Sequence, residues 1–304
     1  MPFRQGVVVS AQETALDKSS REGISSPLTF VGQWWASSVS GYPSQNRRNV
    51  GPVCETGSAR EAEGMATDPL GNLYVAGAFG TIGGAEEFSP NCGAAVRAFS
   101  YDGGNPEDPA IDGNRLYLSI ITRGSMPGAV ETFDISSGKQ TSQLTDPTVS
   151  VGVGVAVDTH HDLFWSTTNA WTAGGQVIEF RNGHMPGVLL KETRMGTDFP
   201  GGVIIDKAGN LLLIDQITAT IAIFAPPYKA APFKKIQMKG AAWYCALDSR
   251  ATQLDCLDYN YAAVDVYSYP KGKYVYSYDN GIEGSQGPVG IAVQPELQRS
   301  GISW

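Results

Sequence analysis

One motif recurs six times along this chain, and no other feature limits its folding options as strongly. Gly64–Gly77 reads GMATDPLGNLYVAG. Pro109–Ile120 (PAIDGNRLYLSI), Gly154–Thr167 (GVAVDTHHDLFWST) and Gly202–Asp215 (GVIIDKAGNLLLID) follow the same plan. So do Tyr244–Asp258 (YCALDSRATQLDCLD) and Gly290–Trp304 (GIAVQPELQRSGISW). Each copy is a short apolar strand, a polar turn and a second apolar strand. The turns open at Asp68, Asp112, Asp158, Asp206, Asp248 and Gln294, spaced by 44, 46, 48, 42 and 46 residues. A period of about 45 residues built from strands is the length of one propeller blade.

Two more strands per unit are visible. Third strands read AAVRAFS (Ala94–Ser100), GAVETFDI (Gly128–Ile135), GQVIEFR (Gly175–Arg181), ATIAIFAP (Ala219–Pro226) and AAVDVYSY (Ala262–Tyr269), all alternating with period two. Fourth strands follow Gly/Pro/Lys turns, as in KKIQMKG (Lys234–Gly240) and KYVYSYDNG (Lys273–Gly281). No crossover helix separates strands, which excludes a parallel barrel and makes the sheets antiparallel.

The fold class expected is therefore all-β: one six-bladed β-propeller of four-stranded antiparallel blades over residues 1–304. Seven units would need more chain than the 304 residues hold. The units run at about 63–106, 107–150, 151–197, 198–241, 242–286 and 287–304, the last completed by 1–35. This sixth unit ends at Trp304 after its second strand. Its outer strands are expected from the N-terminus, at Gly6–Ser10 and Leu28–Gly32, closing the ring and hiding free sheet edges. The surplus then falls in two loops, at residues 11–26 and 36–61.

Composition agrees and narrows function. There are 36 Gly and 18 Pro, as a chain with many turns requires, while 42% hydrophobic content excludes disorder. The net charge is −8 with no basic stripe, which argues against nucleic-acid binding. No run of 18 apolar residues offers a membrane span. Gly6–Val9 is too short an apolar stretch for a secretory signal. The motifs G-x-S-x-G and H-E-x-x-H, a P-loop and a dinucleotide fingerprint are all absent.

In such a blade the first strand lines the central channel. The turns between strands two and three and the links between blades share one face, here called the top. Turns between strands one and two, and three and four, lie on the bottom. The cysteines number four, without C-x-x-C spacing, so zinc is not expected. Cys245 and Cys256 face each other across the first hairpin of blade five. Cys54 precedes blade one and Cys92 is placed in its second-to-third loop, so both are expected on the top and able to pair. The alternative is four free thiols packed as small apolar side chains. Disulfides would imply an oxidising compartment, and a secreted or periplasmic protein is expected.

The pattern P-x-G-[IV]-A-V-D, then G-N-L-Y-V, then a strand ending in [VI]-x-[VI]-[FY], resembles NHL-repeat six-bladed propellers. The broader group includes gluconolactonase-like and virginiamycin B lyase-like proteins. The resemblance covers residues 63–304 and rests on structural residues. It implies a divalent cation such as Ca²⁺ near the top of the channel, for which Glu63, Asp108 and Asp198 are the acidic candidates. Blade four has Pro200-Gly201-Gly202 where that group has Pro-[Asn/Asp]-Gly, and blade six has Pro288-Val289-Gly290. Apart from that implied cation, no cofactor is expected. His160, His161 and His184 fall on bottom turns of blade three, so no histidine is left for the channel.

The candidate ligand site lies on the top face. The aromatic set is Trp34, Trp35, Trp171, Trp243, Tyr244, Tyr259 and Tyr261, of which Trp171 and Tyr259 fall in second-to-third loops and Trp243 and Tyr244 open the first strand of blade five. With Asn169, Asn260 and Arg123 they could hold a flat or sugar-like ligand. Asp215 and Asp258 end the second strands of blades four and five, as acidic binding positions or as turn anchors. The expected function is a monomeric binding module for a small molecule, glycan or peptide. The alternative is a lactonase- or lyase-type enzyme, or a cofactor-free catalyst, acting in the channel mouth.

Overall fold

The computed structural model describes residues 27–295 apart from residues 37, 45–50, 58–60, 80–81, 91, 102, 123–126, 169–173 and 195–198. Twenty-four strands make six four-stranded antiparallel sheets among these residues. The chain begins with β1 (Leu28–Gln33), β2 (Ser38–Pro43) and β3 (Cys54–Gly57). Blade one follows as β4 (Met65–Thr67), β5 (Leu73–Phe79), β6 (Ile82–Phe88) and β7 (Ala95–Tyr101). Blade two is β8 (Pro106–Asp112), β9 (Arg115–Ile120), β10 (Ala129–Asp134) and β11 (Lys139–Leu144). Blade three is β12 (Val151–Val157), β13 (Leu163–Thr168), β14 (Gly175–Phe180) and β15 (Val188–Leu190). Blade four is β16 (Pro200–Ile205), β17 (Leu211–Asp215), β18 (Thr220–Phe224) and β19 (Lys234–Gln237). Blade five is β20 (Ala242–Leu247), β21 (Gln253–Asp258), β22 (Ala263–Ser268) and β23 (Lys273–Tyr278). The chain then returns to the start with β24 (Pro288–Val293), which pairs with β1.

The closing blade therefore has the order β24-β1-β2-β3. Its second strand is the Leu28 stretch, in the place expected of the segment ending at Trp304. Residues 38–43 and 54–57, expected within a loop, are its third and fourth strands. Gly6–Ser10 and residues 296–304 lie outside the described residues. The strand assignment of blade one also changes. Ile82–Phe88 is its third strand, and the Ala94–Ser100 stretch forms the fourth. That run carries alternating small and large residues like the other third strands, so period alone does not tell the two apart.

Repetition in the sequence becomes repetition in hydrogen bonding. Asp68 Oδ1 accepts the backbone N–H groups of Leu70 and Asn72, both at 2.9 Å. Asp158, Asp206 and Asp248 hold their own turns the same way. Each short side chain satisfies donors that the tight turn would otherwise leave open. Blade six has no such turn, because the second strand arrives from the other end of the chain. There Gln294 spans the break: its Oε1 accepts Leu28 N–H at 3.3 Å and its Nε2 donates to Gly71 O at 3.1 Å.

The core lies between blades. Trp165 is fully buried between blades two and three and donates its indole N–H to Ser119 Oγ at 3.0 Å. Tyr42, Tyr278, Val264 and Ile291 join blade five to the closing blade. Both disulfides form. Cys245–Cys256 bridges β20 and β21. Cys54–Cys92 ties the outermost strand of the closing blade to the β6–β7 turn of blade one. With the corrected strand order, that bond sits on the bottom face, not the top.

Candidate functional site

Counting back four residues from each turn-opening residue reaches the same level of every channel-lining strand. The residues there are Gly64, Asp108, Gly154, Gly202, Tyr244 and Gly290. The four glycines make room for the two side chains. A Cβ on Gly202 would sit 2.7 Å from Tyr244 Cδ1, and one on Gly154 would sit 2.5 Å from Gly202 Cα. A Cβ on Gly64 would collide with Asp108 Oδ1, and one on Gly290 with Glu63 O. Close approach, not turn geometry, is what requires glycine here.

Tyr244 fills the space left at this level. Its hydroxyl donates to Glu107 Oε1 at 3.2 Å, a residue of blade two, while Tyr244 belongs to blade five. Those blades face each other across the ring, so the ring and hydroxyl bridge the channel. Tyr244 is only 3% exposed. β-bulges put it there. The inner strand pairs shift register at Pro106/Asp108, Gly152/Val155, Pro200/Val203 and Ala242/Cys245. Each bulge bends the strand and re-aims its side chains at the same height. Glu107, Trp243 and Tyr244 all fall inside bulges.

Three carboxyls cluster at this roof. Glu63, Glu107 and Asp108 all lose the water that would stabilise their charge, and burial pushes each well above the usual carboxylate range. The charge of Glu107, and then that of Glu61, raises Glu63 further, while the Tyr244 hydroxyl bond lowers Glu107 part of the way back. Burial, then the charges of Glu107, Asp108 and Glu63, holds the Tyr244 hydroxyl in its neutral form. Asp108 Oδ2 accepts Val155 N–H at 2.9 Å, and Glu107 O accepts Gly64 N–H at 2.6 Å. Below the roof the channel is a cavity of about 310 Å³ that reaches the bottom turns.

The top face outside the channel carries aromatics. Trp34 and Trp35, in the β1–β2 connection, stack with ring centroids 5.0 Å apart and planes 8° from parallel. Trp35 is 65% exposed. The pair lies against Gly287, whose φ of +61° favours glycine and where an added Cβ would press on Trp35 Cδ1 at 3.1 Å. Tyr259 and Tyr261 project from the β21–β22 turn of blade five. Lys239 Nζ lies 5.6 Å from the Tyr261 ring centroid. A Cβ on Gly284 would sit 3.5 Å from Ala262 Cβ and one on Gly287 3.1 Å from Trp35 Cδ1, so the Gly284–Gly287 segment runs beside both connections.

The expected site residues divide accordingly. Tyr259 and Asn260 are exposed on the top face. Trp243 is half-buried with its edge against Phe199, 5.9 Å between centroids. Tyr244 is in the channel. Asp215 accepts the N–H groups of Ile217 and Thr218 and the Thr218 hydroxyl. Asp258 Oδ1 accepts those of Asn260 and Tyr261. Both carboxyls thereby anchor the turns that follow them. Arg123, Asn169, Trp171 and Asp198 lie outside the described residues. Glu63 and Asp108 share the roof, yet no group of three acidic, His or Cys side chains among the described residues is placed to hold a metal. The bottom placement of the histidines holds: His161 Nδ1 meets Asp112 Oδ1 at 2.7 Å on that face. Residues not singled out in the sequence include Glu107 and Lys239. Glu107 had a signal, since it immediately precedes the one acidic residue in the glycine register.

No protein-family model matches the chain, and comparison with curated proteins gives no match. Solved structures do match. A chain of a crystallised nidogen/laminin complex superposes with a TM-score of 0.70 at 16% identity, covering 90% of this chain and 100% of that one. A functionally unknown protein from Desulfotomaculum acetoxidans superposes at 0.61 with 14% identity, covering 89% and 99%. A protein of unknown function from Bacteroides caccae superposes at 0.64 with 11% identity, again covering 89% and 99%. These likenesses carry the six-bladed propeller fold and no narrower family. The two disulfides suggest an extracellular or otherwise oxidising compartment. No helix among the described residues is long and apolar enough to cross a membrane.

Proposed function

We propose that this propeller is a secreted or periplasmic binding module whose top face, over blade five and the closing blade, holds a peptide, a glycan or a small molecule. The observation that carries the reading is the exposed aromatic surface of Trp34, Trp35, Tyr259 and Tyr261. Large rings left in water on a disulfide-tied scaffold cost solvation and are typical of contact sites. Lys239 beside Tyr261 adds a cation for polar ligand groups. A propeller of the same shape occurs in a complex of two proteins, which is consistent with a binding role. Within this reading the narrower NHL-type kinship of the sequence motifs also stands as a proposal. Binding is tested by tryptophan fluorescence during titration with ligands found on glycan and peptide arrays. Quenching should saturate in the wild type, persist in H184A on the bottom face and weaken at least tenfold in W35A and Y261A. Equal binding in all four proteins would remove the site.

A second reading has its own observation. The raised carboxyls of Glu63, Glu107 and Asp108 are available as protonated acids near neutral pH, which suits general acid catalysis of a lactonase or lyase type. A cation such as Ca²⁺ would draw on Glu63 and Asp108, with Asp198 as third ligand. A lactone panel assayed with and without Ca²⁺ tests it, since activity lost in E107Q is the expected result and inactivity under both conditions sinks it.

A further inference from the structure

A groove on the bottom face, between blades three and four, lies outside the top-face reading. Its inner lobe is a cavity of about 510 Å³ between the turns opened by Asp158 and Asp206, walled by Val157, Ile205 and Pro226. Its outer lobe, about 320 Å³, runs along β15 over Val188, Leu189 and Leu190 to Lys229. Glu179, Pro227 and Tyr228 line both lobes, so the two adjoin there. Buried Tyr228 fixes this junction. Its hydroxyl donates to Gly209 O at 2.7 Å, and its ring meets Phe164 edge to face with centroids 5.3 Å apart.

The lobes differ in charge. Asp158, Asp162, Asp206 and Glu179 line the inner lobe, against Lys207 and His160. The three aspartates accept backbone N–H groups, which are dipoles and leave the negative charge in place. Burial first, and then the charges of all four carboxyls, push the Tyr228 hydroxyl up to about 12. Arg181, Lys191 and Lys229 line the outer lobe, against Glu192 and the shared Glu179. The Glu179 side chain is 12% exposed, and its ion-pair partner is Arg181, with Nε at 3.8 Å. That is too far for a hydrogen bond, and the Glu179 carboxyl accepts none from the described residues.

We propose that this groove docks an extended segment of a partner protein in which a lysine or arginine is followed within a few residues by an aspartate or glutamate. The cationic head enters the inner lobe beside Glu179, with its aliphatic stem against Pro226 and Pro227. The acidic side chain lies among Arg181, Lys191 and Lys229. Apolar residues between the two cover Val188, which is 42% exposed, and its neighbour Leu189. Opposite charges at the two ends fix the register of the segment, and an extended chain presents alternate side chains to such lobes. No tryptophan lines either lobe, so the groove is independent of the top-face reading and of ligands chosen by tryptophan quenching.

Isothermal titration of the full chain with the blocked peptide Ac-Arg-Ala-Val-Ala-Glu-NH2 tests the proposal. The comparison probes are the same peptide with Gln at both ends, the same peptide with Arg at both ends, and argininamide. Saturable binding of the Arg/Glu peptide is expected, at least tenfold tighter than the Gln/Gln peptide and argininamide, with tryptophan emission unchanged. E179Q should weaken it at least fivefold. K191E/K229E changes two exposed side chains and covers the case in which E179Q does not fold. It should weaken the Arg/Glu peptide at least fivefold and tighten the Arg/Arg peptide by as much. The proposal is overturned by absence of saturable binding, by equal binding of the Gln/Gln peptide, or by affinities unchanged in K191E/K229E. Argininamide binding as tightly as the Arg/Glu peptide would also overturn it, by reducing the groove to a pocket for a lone cation.

Discussion

At the scale of single residues, the channel roof turns on which positions lack a side chain. Gly202 leaves the space that Tyr244 occupies, so Gly202→Ala forces the ring or the strand to move. Such overpacking costs about 1–3 kcal/mol. Gly284→Ala, whose added Cβ would meet only Ala262 Cβ at an ordinary 3.5 Å, should cost about 0.5 kcal/mol or less. Urea denaturation midpoints of the two variants make the comparison. The carboxyls give a second expectation, with a definite sign. Glu107 is raised in the folded protein above its ordinary value of 4.5, so folding favours the protonated form. Its contribution is complete below the ordinary carboxylate range and is lost as pH rises through neutral toward the raised value. E107Q, which keeps the neutral shape, should match the wild type in melting temperature at pH 4 and exceed it increasingly from pH 6 to 9. A constant offset across that range would contradict the assignment. The register of Gly64, Gly154, Gly202 and Gly290 is legible in the sequence, and so are the two residues that interrupt it. What Tyr244 reaches is not legible, because Glu107 lies 137 residues away and only ring closure brings them together.

At the scale of elements, strand–turn–strand units were readable because Asp68, Asp158, Asp206 and Asp248 each bind their own turn within four or five residues. Where the signal is not local, reading fails in specific ways. The third and fourth strands of blade one both alternate, so Ala94–Ser100 reads as either. The Ser38–Pro43 and Cys54–Gly57 strands lack the Asp-turn marker, because they belong to the blade that the turn motif never completes. Bulges are also silent in the periodicity, although they aim Glu107, Trp243 and Tyr244. The cysteine pairs were readable, but the face of Cys54–Cys92 followed the strand order and changed with it. That bond closes a longer loop, with a sequence separation of 38 against 11 for Cys245–Cys256. Chain-entropy reasoning assigns about 4 kcal/mol to the first and about 3 kcal/mol to the second. Replacing each pair by alanines should lower stability in that order in denaturant unfolding. Thiol titration of the native wild type should find none free.

At the scale of the whole molecule, six repeats fix the ring and say little about which end of it works. The geometry divides the labour: Tyr244 and Glu107 bar the channel, an aromatic surface lies above, and the lower channel cavity lies below. Gln294 and the β24–β1 pairing join the two ends of the described chain, so blade five and the closing blade form one rigid platform for that aromatic surface. Tyr259, Asn260 and Tyr261 were legible as one loop of blade five, and all three are exposed. Trp34 and Trp35 stood outside the repeat and gained their place only once the N-terminal strands entered the ring. The central claim is that the aromatic top face is where a ligand is held. Hydrogen–deuterium exchange of the protein with and without an array-identified glycan or peptide tests it most directly. Protection is expected at residues 34–35, 259–262 and 284–287, with the bottom turns at 158–162 and 206–209 unchanged. Protection confined to the bottom turns, with the top face exchanging as in the free protein, would contradict the account.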